Sequence, residues 1–283
     1  MPLLQLRGGE VDGLALHYLV EGRGPAVILI HGLGGFADSW RHNVDALADR
    51  STVYALDLPG FGRSAKPRTR YRLAYFARAV HGFVEALGLP HVSLVGHSLG
   101  GAVAVAYALT HPVRVERVAL LGAVVPGFGF QMSWAYRLAT IAGVGEALSL
   151  MGCASLYKAA LARCFHRPLT AEVDFLVHCH YTERTGVPAR AAYLATLRHI
   201  REDFLDHAEN YRRAIATLEQ PVLLIHGRQD PVVPAAHCAR VADGVARARV
   251  HWVDECGHFP QIEQPAAVNA WLSQFLVGRP APR

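Results

Sequence analysis

One serine of the chain lies between glycines, in the stretch Gly96-His97-Ser98-Leu99-Gly100. An apolar run over residues 92–95 precedes it and an alanine- and valine-rich run over residues 101–109 follows it, which predicts a buried strand, a sharp turn and a helix. Glycine is needed where a Cβ would collide with the neighbouring strand or helix, and such a strained turn exposes the serine hydroxyl. Ser98 is therefore a candidate nucleophile for acyl transfer, and the Leu99 N–H beside it can stabilise an oxyanion.

The serine motif alone is also compatible with a glycine-rich turn that holds a helix-capping serine. Further loops supply the remaining chemistry. The stretch His31-Gly32-Leu33-Gly34-Gly35 follows an apolar run, and its Leu33 N–H can donate the second oxyanion hydrogen bond. Asp230 follows the apolar run 222–227 and can hold a histidine in one tautomer. His258, after the short run 250–253, is the candidate general base.

Ser98, Asp230 and His258 occur in this order along the chain, each just after a predicted strand. Together with the loop Asp57-Leu58-Pro59-Gly60-Phe61-Gly62-Arg63-Ser64, these motifs resemble the α/β-hydrolase superfamily. The resemblance is to its lidded branch, which contains small-molecule esterases, lactonases and carbon–carbon bond hydrolases. It extends over the whole chain except the middle, and it is more specific for fold and catalytic residues than for substrate.

The resemblance implies an α/β fold with a mostly parallel eight-stranded sheet, helices on both faces and an inserted helical cap. The sequence agrees, because a predicted opening hairpin leads into alternating strands and helices through about residue 123. Helix-like segments then occupy the chain before the strand at Val222. We predict a core over residues 1–124 and 217–283, with the cap over residues 125–216.

The first half of the predicted cap is rich in aromatic residues and nearly free of charge. A cap forms the roof of a pocket, so we expect it to bind an apolar part of the substrate. An alternative is that these side chains only pack the cap on the core. A third possibility is that an arginine between Arg190 and Arg213 points inward and holds a substrate carboxylate. The substrate-binding candidates are Phe128, Phe130 and Trp134 in the cap, and Phe259 beside His258.

Composition excludes several other classes of protein. The chain has 283 residues, 52% of them hydrophobic and 18% charged, which suits a large buried sheet and excludes a disordered protein. The net charge of +5 is spread without a long basic run, so we expect no nucleic-acid partner. Histidines and carboxylates show no metal-ligand spacing, and the expected chemistry needs neither a metal nor another cofactor.

The cysteines show no paired or zinc-binding spacing, which fits a reducing cytoplasm. They are Cys153, Cys164, Cys179, Cys238 and Cys256. The N-terminal residues lack the pattern of a signal peptide, and the longest charge-free stretch is broken by proline and glycines, so we expect no stable membrane insertion. Cys256 and the strand-end residues His31 and His226 are expected to support loops, whereas His97 could line the pocket or face a loop. The oligomeric state is left open.

These features predict a serine hydrolase that cleaves carboxylic esters of small to medium apolar acyl groups through an acyl-enzyme intermediate. One alternative is hydrolysis of a carbon–carbon bond in a vinylogous diketone by the same three residues. Members of that group usually have tryptophan in place of Phe259 and a longer glycine-rich oxyanion loop. Another is a binding protein that keeps the pocket without turnover. A serine at position 98 argues against families that resemble this chain but carry aspartate there.

Overall fold

The apolar runs of the sequence form the strands of a single sheet, as seen in a computed structural model that describes residues 2–184 and 186–277. The strands are β1 (Leu3–Gln5), β2 (Ala15–Glu21), β3 (Ala26–Ile30), β4 (Thr52–Leu56), β5 (Val92–His97), β6 (Val115–Leu121), β7 (Val222–Gly227) and β8 (Ala248–Val253). Consecutive apolar residues suit strands that are covered on both faces. Accordingly, β5 and β7 are buried at every residue.

The strands lie in the order β1-β2-β4-β3-β5-β6-β7-β8. Strand β2 is antiparallel to both β1 and β4, and the other neighbouring pairs are parallel. The predicted α/β fold with an eight-stranded, mostly parallel sheet is therefore confirmed. This order brings the carboxyl ends of β3, β5, β7 and β8 to one edge of the sheet, where ligand sites of such sheets lie.

Helices cover both faces of the sheet. They are α1 (Val44–Ala48), α2 (Leu73–Ala86), α3 (Leu99–Thr110), α4 (Trp134–Ala139), α5 (Val144–Met151), α6 (Ala154–Ala162), α7 (Thr170–Arg184), α8 (Val187–Leu205), α9 (Ala208–Ile215), α10 (Ala235–Gly244), α11 (Pro260–Glu263) and α12 (Pro265–Val277). Side chains of β3 alternate between the two layers: Ile28 and Ile30 pack with α2 and α3, whereas Val27 and Leu29 pack with α1 and α12.

Helix α3 runs through the centre of the molecule, directly behind the serine motif. Its residues from Leu99 to Ala108 are all buried, which the run of alanine, valine and glycine permits because small side chains let a helix approach a sheet closely. At Gly100 the approach is closest, since an added Cβ would lie 2.2 Å from the Ile30 carbonyl oxygen. The start of α3 is therefore held rigidly against the end of β3.

Helices α4 to α9 form an insertion between β6 and β7, which we call the cap. Helix α8 supplies much of its buried surface, including Leu194, Leu197 and Ile200. The predicted boundaries at residues 125 and 216 stay a prediction. Within residues 2–184 and 186–277, none of the helices has the length and apolar character needed to cross a bilayer.

Candidate active site

The turn that carries Ser98 is strained in the manner its glycines predict. Ser98 has φ 52° and ψ −118°, a left-handed conformation that costs a residue other than glycine about 1–3 kcal/mol. Glycines are required around it, because an added Cβ at Gly96 would lie 2.4 Å from the Gly100 carbonyl oxygen. The turn leaves the Ser98 side chain half-buried at the carboxyl edge of the sheet.

Asp230 and His258 form a buried hydrogen-bonded pair. The Nδ1 atom of His258 donates to Asp230 Oδ2 at 2.8 Å, and Asp230 Oδ1 accepts from the backbone N–H groups of Val232 and Val233, each at 2.8 Å. Burial raises the pKa of Asp230, but the charge and hydrogen bond of His258 and the Val233 N–H outweigh it and leave that pKa below its ordinary value. Asp230 is thus kept ionised, and it fixes the His258 proton on Nδ1.

The loop that carries His258 is fixed from three sides. The His258 N–H donates to the Cys164 carbonyl at 2.8 Å, and the His258 carbonyl accepts from His97 Nε2, also at 2.8 Å. Glu263 accepts from the backbone N–H groups of Gly257 and Phe259. Burial and the nearby His258 lower the pKa of His97 to about 3, so His97 stays neutral and serves as a donor to the loop. The sequence left open whether His97 lines the pocket or faces a loop. In the structure its Nε2 faces the loop that carries His258.

The glycine loop after β3 lies against the Ser98 side chain. An added Cβ at Gly32 would lie 2.9 Å from Ser98 Cβ. His31 holds this loop in place, because its Nδ1 donates to the Gly32 carbonyl at 2.7 Å and its Nε2 accepts from the Leu58 N–H at 3.0 Å. Among the described residues, the backbone N–H groups of Leu33 and Leu99 have no acceptor within the chain. They are donors that a developing oxyanion could use.

Asp57 holds the chain just after this loop, a role that the sequence reasoning did not assign. Its carboxylate accepts from the backbone N–H groups of Ala37 and Arg63 and from His17 Nδ1. Burial alone would raise the pKa of Asp57, but the hydrogen bond from His17, the charge of His31 and the two N–H donors lower it overall. The signal available in the sequence was the position of Asp57 immediately after an apolar strand.

A family model described as the alpha/beta hydrolase fold matches residues 25–149 and 183–265, which is more than half of the chain. The chain belongs to the alpha/beta-hydrolase family. The resemblance inferred from the sequence is thereby confirmed, and the chain is a hydrolase of this fold.

The similar proteins are named as different kinds of hydrolase. The 2-hydroxy-6-oxo-6-(2'-aminophenyl)hexa-2,4-dienoic acid hydrolase of Metapseudomonas resinovorans is 32% identical over 276 residues, which cover 95% of this chain and 90% of that protein. A solved meta-cleavage product hydrolase is 27% identical, with a TM-score of 0.83 and 97% of both chains covered. An esterase from Exiguobacterium antarcticum also has a TM-score of 0.83 and covers 98% of this chain and 99% of its own, but at 19% identity it shows the fold alone.

The structure separates the four predicted substrate-binding residues. Phe259 lies beside the candidate base, with its ring centroid 5.3 Å from that of His258 and 5.0 Å from that of His97. Phe128 and Phe130 instead fill the junction between cap and core: Phe128 packs on α10, and Phe130 contacts a cap phenylalanine and an α10 histidine. Their placement favours the cap-packing alternative. The Trp134 ring is 75% exposed, so it faces solvent rather than an enclosed pocket.

Behind Phe259 lies a buried apolar cluster whose members the sequence reasoning missed. Phe165 stacks on Phe259 at 4.8 Å between ring centroids, with 23° between the ring planes. The pair belongs to a cluster with Phe36, Val173, Leu176, Val177 and Ile262. The signal for it was present, because Val173, Leu176 and Val177 have the i, i+3, i+4 spacing of one helix face. We call the six residues of this cluster together with Phe259 the site wall: Phe36, Phe165, Val173, Leu176, Val177, Phe259 and Ile262.

Most of the cap arginines considered for a substrate carboxylate are engaged elsewhere or exposed, and Arg190 is half-buried. Arg198 pairs with Glu146, Arg212 pairs with Glu209, and Arg201 is exposed. At the edge of the site wall, Arg41 lies over the Phe175 ring and pairs with Glu172. Within the described part of the chain, histidine, cysteine and carboxylate side chains form no group of three or more that could hold a metal ion.

Proposed function

We propose that Ser98, His258 and Asp230 act together as nucleophile, general base and orienting carboxylate in the hydrolysis of carboxylic esters. The observation that carries this proposal is the hydrogen bond from His258 Nδ1 to the buried Asp230. The strained turn at Ser98 adjoins this pair through His97, whose ring centroid lies 4.8 Å from that of His258. With its proton held on Nδ1, the imidazole keeps Nε2 as the basic atom. The arrangement suits removal of a proton from a hydroxyl and its later return to a leaving group.

The reaction proceeds in two balanced halves. Ser98 Oγ forms a bond to the ester carbonyl carbon while His258 takes the serine proton, and the N–H groups of Leu33 and Leu99 bind the resulting oxyanion. Collapse breaks the carbon–oxygen bond to the alcohol, which leaves with the proton from His258. Water then attacks the acyl-enzyme, again losing a proton to His258, and the carboxylic acid is released as Ser98 regains its proton.

The substrate class follows from the surroundings of His258. The site wall is built of aliphatic and aromatic side chains, and the arginine at its edge is neutralised by Glu172. These features favour an uncharged, apolar acyl group of small to medium size over a carboxylate-bearing one. We further propose that residues 125–216 act as the cap over a core formed by residues 1–124 and 217–283, which supplies the three reacting residues.

The test is an ester series with the same alcohol, the p-nitrophenyl esters of straight-chain acids. The wild-type protein should hydrolyse the short and medium members, with a rapid initial release of p-nitrophenol if the acyl-enzyme accumulates. The Ser98→Ala variant should lose this activity while keeping its thermal unfolding midpoint. Hydrolysis at a normal rate by folded Ser98→Ala would refute the assignment of the nucleophile.

A second candidate is hydrolysis of a carbon–carbon bond in a dienoic acid that carries a vinylogous ketone. It is favoured by the 32% identity to a hydrolase named for such a substrate. Phe259 at a position where that group usually has tryptophan argues for the ester. The two are separated by measuring kcat/KM for a 2-hydroxy-6-oxohexa-2,4-dienoate and for p-nitrophenyl butyrate on one preparation. A clear preference for the dienoate would replace the ester proposal and keep Ser98 as an essential residue.

A further inference from the structure

The first two cap helices expose apolar stripes that amphipathic helices normally bury. Trp134, Leu138 and Ile141 recur at positions i, i+4 and i+7 through and just beyond α4, and Val144, Leu148 and Met151 repeat that spacing along α5. Such spacing places three side chains on one face of a helix. All six side chains are exposed, between 39% and 76%. We call these six residues the outer cap face.

The helices beneath this face are attached to the cap by their other side. Gly145 lets α5 approach α8, since an added Cβ there would lie 3.1 Å from a Leu194 methyl group. Arg198 of α8 donates to the Thr140 carbonyl and pairs with Glu146. Across α4, α5 and α6, every residue of which is described, Gly145 is the one buried residue. The apolar stripes therefore point away from the cap.

The exposed apolar area is large enough for the centre of a specific protein interface. Leu150 and Leu156 are also exposed, by 70% and 63%, but helical spacing places Leu150 on another side of α5. The six residues of the face alone expose roughly 500 Å² of apolar side chain, within the range of about 300–600 Å² for the largest patch on a typical monomer, which is often functional. A stable protein interface of standard size buries about 800 Å² on each partner. Tryptophan, methionine and leucine with few charges are also the composition of an interface centre.

We propose that the outer cap face is the contact surface of a homodimer, formed with a second copy of this chain around a two-fold axis. A two-fold interface brings the same patch of both copies together, so the patch must be compatible with itself. Between residues 128 and 151 the charged residues are Arg137 and Glu146, and Glu146 is already paired with Arg198 of the same chain, so the face carries little net charge that would repel a second copy.

A lipid surface is a poorer match for the same patch. Helices that lie on membranes carry many lysines and arginines on their polar side, which attract anionic headgroups. The segment 128–151 has no such excess, and α4 and α5 have 6 and 8 residues, each about two turns. The charge balance therefore favours a second protein copy.

The experiment is sedimentation velocity of the full chain over a wide range of concentration, with two double variants. Trp134→Glu with Met151→Glu places a charge on each helix of the outer cap face. The matched control is Leu3→Glu with Val113→Glu, which changes two surface residues outside the cap that have comparable exposure, 60% and 69%. Because all four side chains are exposed, we expect both variants to fold, with unchanged thermal unfolding at high dilution.

The expected result is a concentration-dependent dimer for the wild-type protein and for the control. The cap variant should dissociate it, weakening the dimer roughly a hundredfold or more, because buried apolar contacts are lost and charges are buried unpaired. A wild-type protein that stays monomeric, or a dimer lost only in the control, would overturn the proposal. So would a monomer that binds phosphatidylcholine–phosphatidylglycerol vesicles through Trp134 and Met151. None of these readings depends on the proposed ester activity.

Discussion

Helix α3 and cap helix α5 are both rich in apolar residues, yet they occupy opposite environments. The first ten residues of α3 are all buried, and its start is held against β3 at Gly100. Helix α5 buries Gly145 and exposes most of its other side chains. Apolar composition therefore does not distinguish a helix that supports the candidate active site from one that lies at the surface.

The two regions also treat polar groups differently. At the carboxyl edge of the sheet, Asp57 and Asp230 are buried and satisfied by several donors. On the outer side of the cap, charged side chains such as Arg198 and Glu146 form ion pairs near the surface, which contribute little to stability, whereas Asp203, on the side of α8 that meets the core, is buried and accepts from Arg72 and the Leu73 N–H. The comparison indicates that buried hydrogen bonds fix the geometry of the candidate site in the core. Substitutions on the outer side of the cap should cost little stability.

The largest expected effect is on the reacting serine. Ser98→Ala should lower kcat by about 10⁴-fold or more, because a nucleophile of this kind has no substitute. The matched cap variant is Ser149→Ala, which removes a hydroxyl that donates to the Glu146 carbonyl. Steady-state hydrolysis of p-nitrophenyl butyrate should be unchanged in the control. An equal loss in both variants would mean that the measurement reports folding rather than chemistry.

Asp230→Asn should lower kcat by about 10³–10⁴-fold with little change in KM, because the amide no longer holds the His258 proton on Nδ1 or stabilises the imidazolium. Asp254→Asn is the control, since Asp254 is exposed and pairs with Arg228 at the surface. The kinetic constants of both variants on one ester provide the measurement. A steep loss in Asp254→Asn alone would transfer the role to that residue.

Glycines of the two regions should differ next. Gly100→Ala should destabilise the fold by more than about 3 kcal/mol, because the new Cβ would meet the backbone oxygens of Ile30 and His31 at 2.2 and 2.6 Å. In the cap, Gly152 has a negative φ, and its nearest neighbours are 3.8 Å away, so Gly152→Ala should stay within about 0.5 kcal/mol of the wild type. Urea unfolding at equilibrium measures both, and similar losses of stability in the two variants would show that core and cap tolerate a new Cβ equally.

The junction of cap and core should respond to pH through His237. Its Nε2 accepts from the Val125 N–H and its Nδ1 donates to the Phe128 carbonyl. Burial lowers its pKa from 6.5 to about 4. Between these values the unfolded chain binds more protons than the folded one, so stability falls as pH drops from 6.5 towards 4, by about 3 kcal/mol for this group.

Unfolding free energies at pH 7 and pH 4.5 test this. His237→Gln should be less stable than the wild type at pH 7 and should lose less further stability at pH 4.5. The control is His91→Gln, at an exposed histidine that donates to the Val113 carbonyl. A pH dependence in His237→Gln that equals that of the wild type would show that another group titrates.

The smallest effect concerns acyl length. Each added methylene should contribute about 0.8 kcal/mol if it is buried on the site wall, so kcat/KM should rise a few-fold per carbon, up to an optimum of roughly four to eight carbons. Phe165→Ala should flatten this rise, because it removes the ring stacked on Phe259. Trp134→Ala should leave it unchanged, since that ring faces solvent. A flattened rise in Trp134→Ala with an unchanged rise in Phe165→Ala would instead show that Trp134 contacts the acyl chain and the site wall does not.

Much of the candidate site could be predicted because it depends on local rules. A buried strand followed by a glycine-rich turn is read from neighbouring residues, and this located Ser98, Asp230 and His258. Parallel strands gather their carboxyl ends at one edge, so these loops could be expected to meet. An eight-stranded, mostly parallel sheet could be expected from the same motifs through their family resemblance, whereas the order of its strands was seen only in the structure.

Tertiary structure alone decided which apolar residues face the site. Phe128, Trp134, Phe165 and Phe259 look alike in sequence, but the first packs on α10, the second is exposed, and the last two stack beside His258. Anchoring by Asp57 was equally hidden, because its partners come from three separate segments of the chain. The sequence determined the strands and the candidate residues that follow them, since both are set by local residue types. Burial and contact are set by distant segments that only the folded chain brings together.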